Sequence, residues 1–261
     1  MSTSPIKVKI LYRDVINFFY NQLSTILLIV CFSTLINIIL EYIFTLYQEN
    51  PLTTILNNID LKKTTTLFSV INSIQQLPIE QQRIIFKTSI LTTFSYLISN
   101  VILISSLLTM IRQFSNYNPI SAFQAIILSI PKLSNLFVLI FFTTLIIQIG
   151  FLLAILPGII LTITFCLAPI ILINDNIGIV QSMYISVKIA LANIRLITPA
   201  ILIWFILKVI ILISIKITIL LSLPSLYKSF IFIGINNIIL SLLLIYLYRL
   251  YILICSNTHY K

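Results

Sequence analysis

Six apolar stretches of about membrane-spanning length dominate this sequence: Leu23–Leu46, Thr88–Ile111, Leu133–Leu156, Gly158–Ile173, Ile197–Leu221 and Phe230–Ile252. A helix needs about 20 apolar residues to cross a bilayer. In hydrocarbon an unpaired backbone polar group is so costly that such stretches are forced into helix. This holds even for runs rich in isoleucine, a mediocre helix former in water. Composition agrees: 59% of residues are hydrophobic and 8% charged, against about 25% charged in an ordinary soluble domain. Too little polar surface exists to coat such a chain, so most of it must face lipid. The expected fold is all-α, a polytopic transmembrane helical bundle forming a single integral membrane domain over residues 1–261. The first run is too long for the h-region of a signal peptide and has no small-x-small cleavage site, so it is expected to stay as an anchor.

The third and fourth runs are separated only by Pro157-Gly158, a turn dipeptide. One helix from Leu133 to Ile173 would far exceed the ~30 Å hydrocarbon thickness. A tight hairpin is therefore expected there, with a re-entrant fourth segment as the alternative. Lysine and arginine in short loops set orientation. With the N-terminus inside, the inner segments hold Lys7, Lys9, Arg13, Arg112, Lys132, Lys188, Arg195, Arg249 and Lys261, and the outer ones hold Lys62, Lys63, Arg83, Lys87 and Lys228. Nine against five favours both termini in the cytoplasm. The external loop, residues 48–82, is too small for an independent domain. Pro78 with Glu80, Gln81 and Gln82 reads as the start of the second span, its acid well placed at a helix N-terminus.

Three segments precede the outward-going spans and look alike: Ser4–Gln22, Asn118–Ser129 and Asn176–Arg195. The first two begin Ser-Pro and Asn-Pro, helix-start signals. The third carries Ile179, Met183, Val187, Leu191 and Ile194 as one apolar stripe. Each reads as a helix lying at the cytoplasmic interface, which makes the chain three units of interfacial helix plus hairpin.

Catalytic signals are poor. The single histidine, His259, stands at a terminus. The six acids, Asp14, Glu41, Glu49, Asp60, Glu80 and Asp175, form no close helical pair. No phosphate loop or nucleophile elbow occurs. Cys31, Cys166 and Cys255 have no metal-ligand spacing. No catalytic residue, metal or cofactor is therefore expected, and the net charge of +10, spread over loops without a basic aromatic face, points to lipid headgroups rather than nucleic acid. The most informative charge lies inside the fifth run. Lys208 is about 16 Å from the inner face at 1.5 Å per residue, and an intramembrane cation is by default a functional hypothesis. Asn100 and Asn237 fall at the same depth, so a polar site of Lys208, Asn100 and Asn237 is expected. Gln148 is a further amide at mid-depth. Glu41 and Lys216, both about 27–28 Å from the inner face, match as a structural ion pair. The tyrosines and phenylalanines at Tyr12, Phe18, Phe19, Tyr20, Tyr246, Tyr248 and Tyr251 form an interfacial belt.

The chain resembles the YciC family of enterobacterial inner-membrane proteins. Tyr12-Arg13-Asp14, Asn17-Phe18-Phe19 and Asn21-Gln22 carry the resemblance at the start. It continues through Glu80-Gln81-Gln82, Pro131-Lys132-Leu133, Gln148-Ile149-Gly150, Pro157-Gly158-Ile159 and Leu167-Ala168-Pro169, and ends in Ile245-Tyr246-Leu247 with Arg249-Leu250-Tyr251. The resemblance implies a multi-pass protein of the inner membrane of a Gram-negative bacterium and brings no activity with it. Its isoleucine and asparagine richness looks like that of a member from an AT-rich endosymbiont genome. The leading expectation is a non-enzymatic protein that organises lipid or envelope partners, with membrane lipids, other envelope proteins or a second copy as partners. The alternative is a small transporter or permease working at Lys208.

Overall fold

The computed structural model of the protein describes residues 8–46, 75, 77–218 and 225–258. Every regular element among them is a helix: α1 (Val8–Asn21), α2 (Leu23–Leu46), α3 (Ile79–Ser115), α4 (Ala122–Leu153), α5 (Ile155–Phe165), α6 (Ala168–Asp175), α7 (Ile179–Ala192), α8 (Ile194–Thr218) and α9 (Ser225–Thr258). Six helical segments are long and apolar enough to cross a membrane: one each in α2, α3, α4, α8 and α9, and a sixth in which α5 and α6 run together over Ile155–Asp175. Ser4-Pro5 and most of the external loop, including Asn57–Thr66, lie outside the described residues.

α3 is the central helix. It packs along α4 and α2 and also touches α9 and α6. At about 55 Å for 37 residues it is longer than the hydrocarbon is thick. Glu80 lies in its first turn and Arg112 in its last, so the uncharged middle crosses and the charged ends emerge. The helix begins after Pro78, as the sequence pattern indicates, and Gln82 Nε2 reaches back to the carbonyls of Gln75 (3.0 Å) and Leu77 (2.8 Å). One hydrophobic core runs through the bundle, from Leu11 and Val15 of α1 to Tyr251 and Ile254 of α9. α8 lies at the edge, against α9, α5 and α7, with Ile203, Ile206, Ile210 and Ile213 facing outward. In lipid this is the expected place for apolar side chains.

Three boundaries differ from the sequence reading. The second interfacial helix is not separate: α4 runs unbroken through Pro131 from Ala122 to Leu153. Its cap is Ser121 rather than Asn118, in a reciprocal box with Gln124 (Gln124 N–H to Ser121 Oγ 3.3 Å, Ser121 N–H to Gln124 Oε1 3.0 Å). The hairpin turns at Ala154, in extended backbone (φ −170°, ψ 164°), and Pro157 and Gly158 belong to the first turn of α5. There a proline's missing N–H costs nothing, because that donor has no intrahelical partner. Gly158 then serves packing instead of turning. A Cβ on Gly150 would stand 3.1 Å from Gly158 Cα, so two glycines bring α4 and α5 into near backbone contact.

The fourth span is broken at Cys166-Leu167 by Pro169 in the first turn of α6. A break in lipid frees carbonyls. One of them, Thr164 O, accepts from Ser186 Oγ at 2.7 Å, and the break itself is buried at Leu167 and Ala168. Ser186 lies on α7, whose buried face is Ser182, Ser186 and Ala190, packed on α5 and α6. The apolar stripe read from the sequence divides: Ile179 and Met183 rest against the core, while Leu191 and Ile194 are exposed. The small face turns inward because it lets the helices approach most closely.

α3 ends in a reciprocal two-bond cap, with Asn118 N–H on Gln113 O (3.0 Å) and Tyr117 N–H on Phe114 O (3.2 Å). The left-handed position that this cap requires is filled by Tyr117 at φ 60°, 94% exposed. A Cβ is disfavoured there and the side chain makes few contacts. Tyr117→Gly is therefore expected to stabilise the protein by about 1 kcal/mol, read as a higher unfolding midpoint in detergent; a lower midpoint would refute the assignment.

Candidate functional site

Lys208 projects from α8 into a cavity of about 320 Å³ between α4, α5 and α8. Apart from Lys208, its wall is apolar or aromatic save for Gln148, Thr144 and Thr162 and the indole of Trp204. The ammonium lies over the Trp204 ring, 4.5 Å from its centroid, a cation–π arrangement. Trp204 Nε1 is buried without a hydrogen-bond partner among the described residues. Phe151 of α4 and Phe205 of α8 stack nearly parallel at 6.3 Å on the same wall. Among the described residues no carboxylate lines this cavity.

The two asparagines expected beside Lys208 are elsewhere. Asn237, on α9, is buried and donates from Nδ2 to Ser33 Oγ and Thr34 Oγ1 of α2, both at 3.3 Å. Ser99 of α3 donates to Ser33 O at 2.7 Å, which closes a polar seam between α2, α3 and α9. Asn100 follows on α3, its Oδ1 buried and without a hydrogen-bond partner among the described residues. Equal depth was the reason for grouping these residues with Lys208, but depth does not fix the face of a helix on which a side chain stands. Gln148 is the mid-depth amide that does share the cavity with Lys208. The ion pair expected between Glu41 and Lys216 lies outside the described residues, since the Lys216 side chain is not among them. The seam reads as helix glue. A double-mutant cycle of Asn237→Ala with Thr34→Val should give a coupling of about 0.6 kcal/mol in detergent unfolding; purely additive losses would show that this bond contributes nothing.

A second polar constellation, not anticipated as a unit, gathers at the C-terminal end of α6. Arg112 Nη1 of α3 and Lys132 Nζ of α4 both donate to Ile173 O, at 3.1 and 2.9 Å. Cations belong at this end, where a helix carries partial negative charge and unmet carbonyls. Asn176 stops α6 in the left-handed region (φ 52°, ψ 38°), a conformation that asparagine tolerates well. Beside it, Asp175 accepts from Tyr251 OH (2.6 Å) and Asn174 Nδ2 (2.9 Å), and Tyr248 OH donates to Asn174 Oδ1 (3.4 Å). Arg249, next to Tyr248 on α9, sits over the Phe18 ring of α1 at 5.0 Å, and its Nε has no hydrogen-bond partner among the described residues. In the sequence these cations stand in the charge tally, and Lys132 and Arg249 also in the motifs that carry the resemblance, but nothing there joins them as a unit. The available signal was Asn174-Asp175, closing an apolar run where tyrosines of the last span reach the same level.

Among the described residues no group of three His, Cys, Asp or Glu side chains is placed to hold a metal. The model of the uncharacterised protein family UPF0259 matches residues 4–253. The chain is 43% identical over 251 residues to a UPF0259 membrane protein of Sodalis glossinidius, covering 96% of this chain and 98% of that one. It is 38% identical over 252 residues to one of Serratia proteamaculans (97% and 100%) and 37% identical over 251 residues to one of Yersinia pestis (96% of each). No solved structure matches. The chain belongs to the UPF0259 family, and this bears out the resemblance read from its motifs.

Proposed function

We propose that this member of the UPF0259 family, a multi-pass membrane protein, is non-enzymatic and organises anionic lipid at one face of the bilayer. The observation that carries the reading is the convergence of Arg112 and Lys132, from two helices, on the single carbonyl of Ile173. Arg249 of α9 adds a third cation next to Tyr248, whose hydroxyl joins the same cluster, and among the described residues the one carboxylate bonded into it, Asp175, is already engaged by Tyr251 and Asn174. A basic cluster between helices at an interface is the arrangement that recognises phosphate headgroups. The bias of positive residues to this end supports placing it, with both termini, on the cytoplasmic side of the bacterial inner membrane. Tyr12 against Tyr246, ring centroids 5.2 Å apart, ties α1 to the same end, so the first interfacial helix forms part of the collar.

Native mass spectrometry of the protein extracted in mild detergent tests this. Wild type is expected to retain cardiolipin or phosphatidylglycerol in preference to phosphatidylcholine, and Arg112→Gln with Lys132→Gln to lose the preference. No preference in wild type, or one untouched in the double variant, would remove the reading.

A second reading, a small transporter or permease, rests on Lys208 within a membrane-spanning helix. With Asn100 and Asn237 turned away from it, the polar path past Lys208 is left with Gln148, Thr144 and Thr162. On the leading reading, proteoliposomes release small anions no faster than protein-free vesicles. Release that depends on Lys208 would instead put transport first.

A further inference from the structure

We propose that the cavity between α4, α5 and α8 takes an anionic amphiphile with a single alkyl chain, its acid head bonded to Lys208 and its chain lying on the apolar wall. Three observations lead there.

The first is a cation without a counter-charge. Among the described residues Lys208 is the only ionisable group on the wall, and it rests on a π-face with no carboxylate beside it. Thr162 Oγ1 already spends its proton on Gly158 O at 2.8 Å. A cation without a counter-charge in an apolar surrounding is unfavourable. A ligand group with a negative charge, a carboxylate or a phosphate monoester, supplies it.

The second is the shape and lining of the space. Beyond the polar end, Ile147, Phe151, Ile159, Ile201, Leu202 and Phe205 offer only hydrocarbon. The volume of about 320 Å³ lies at the lower end of the ~300–1,000 Å³ range of small-molecule sites. That suits one chain and not the paired chains of a phospholipid. The third is access. α8 is the edge helix, and Leu202, on the cavity wall, is itself part of its exposed surface. A ligand dissolved in the bilayer enters sideways, without crossing water.

Trp204 is the chain's only tryptophan, so occupancy can be read from intrinsic fluorescence. The experiment adds 12-bromododecanoate, or uncharged 12-bromododecan-1-ol, to the full-length protein in dodecylmaltoside micelles. Bromine quenches the indole on contact, and the two probes are compared at equal micelle-bound concentration, from the partition measured for each. Wild type is expected to show saturable quenching by the acid at a concentration at least about tenfold lower than by the alcohol, the preference that one charge-assisted contact supplies. Lys208→Arg keeps that gap, and Lys208→Met closes it by moving the acid's curve onto the alcohol's. The alcohol's curve stays unchanged across all three proteins, which shows that the variants are folded around Trp204. Coincident curves in wild type overturn the proposal, as does a gap that survives Lys208→Met. Neither result bears on lipid retention at Arg112 and Lys132, so the two sites stand or fall separately.

Discussion

A backbone carbonyl freed inside a bilayer has no water to turn to, and much of this molecule is arranged around that constraint. The fourth span is not one continuous helix: it breaks at Cys166-Leu167, just before Pro169, which has no N–H to give and whose ring obstructs the turn before it. Carbonyls on both sides of the break are served from other elements. Ser186 of α7 supplies a hydroxyl to Thr164 O, at the end of α5. Arg112 and Lys132, from α3 and α4, supply N–H groups to Ile173 O near the end of the short helix α6. The central helix and its long neighbour are thereby tied to the eight-residue α6, and α7 to the end of α5. The small face of α7 follows from the same need. Ser182, Ser186 and Ala190 let α7 approach closely enough for a serine hydroxyl, the shortest donor available, to reach the backbone across the interface.

Architecture was largely legible in the sequence and contact was not, and particular residues show why. The apolar runs are enforced by the solvent, so α2 is found over Leu23–Leu46 as read, and the start of α3 follows Pro78. Pro131 and Pro157 read as boundaries and Pro169 did not. Pro131 is carried inside α4, Pro157 sits in the first turn of α5, and Pro169 stands at the break in a span. The residue type alone does not separate these three cases. Pro157 falls where the missing N–H has no intrahelical partner, and the break before Pro169 leaves Thr164 O to Ser186 of another helix, a tertiary contact.

The polar site shows the same limit from another side. Depth along a helix can be counted at 1.5 Å per residue, and that count placed Lys208, Asn100 and Asn237 at one level. Rotation about the helix axis is set by which neighbour each helix meets. α9 presents Asn237 to Ser33 and Thr34 of α2, whereas α8 presents Lys208 to α4 and α5. An amphipathic helix at a water interface would have disclosed its orientation through its pattern. These helices are apolar on nearly every face, so no pattern records it.

Two lysines in this chain occupy helices of the bundle under opposite terms. Lys132 ends at a helix C-terminus, where the carbonyl of Ile173 and the partial charge behind it meet the ammonium. It is compensated by the fold itself, and the neighbouring Arg112 is bound to the same oxygen, which gathers positive charge at this end. Lys208 lies over the face of Trp204, and among the described residues no carboxylate lines its cavity. A π-face attracts a cation weakly compared with an anion held in the same low-dielectric space. Lys132 therefore accounts for itself as part of the architecture. Lys208 has only a π-face and neighbouring polar side chains to meet its charge, and that asymmetry is the ground for the ligand proposed in the cavity at α8.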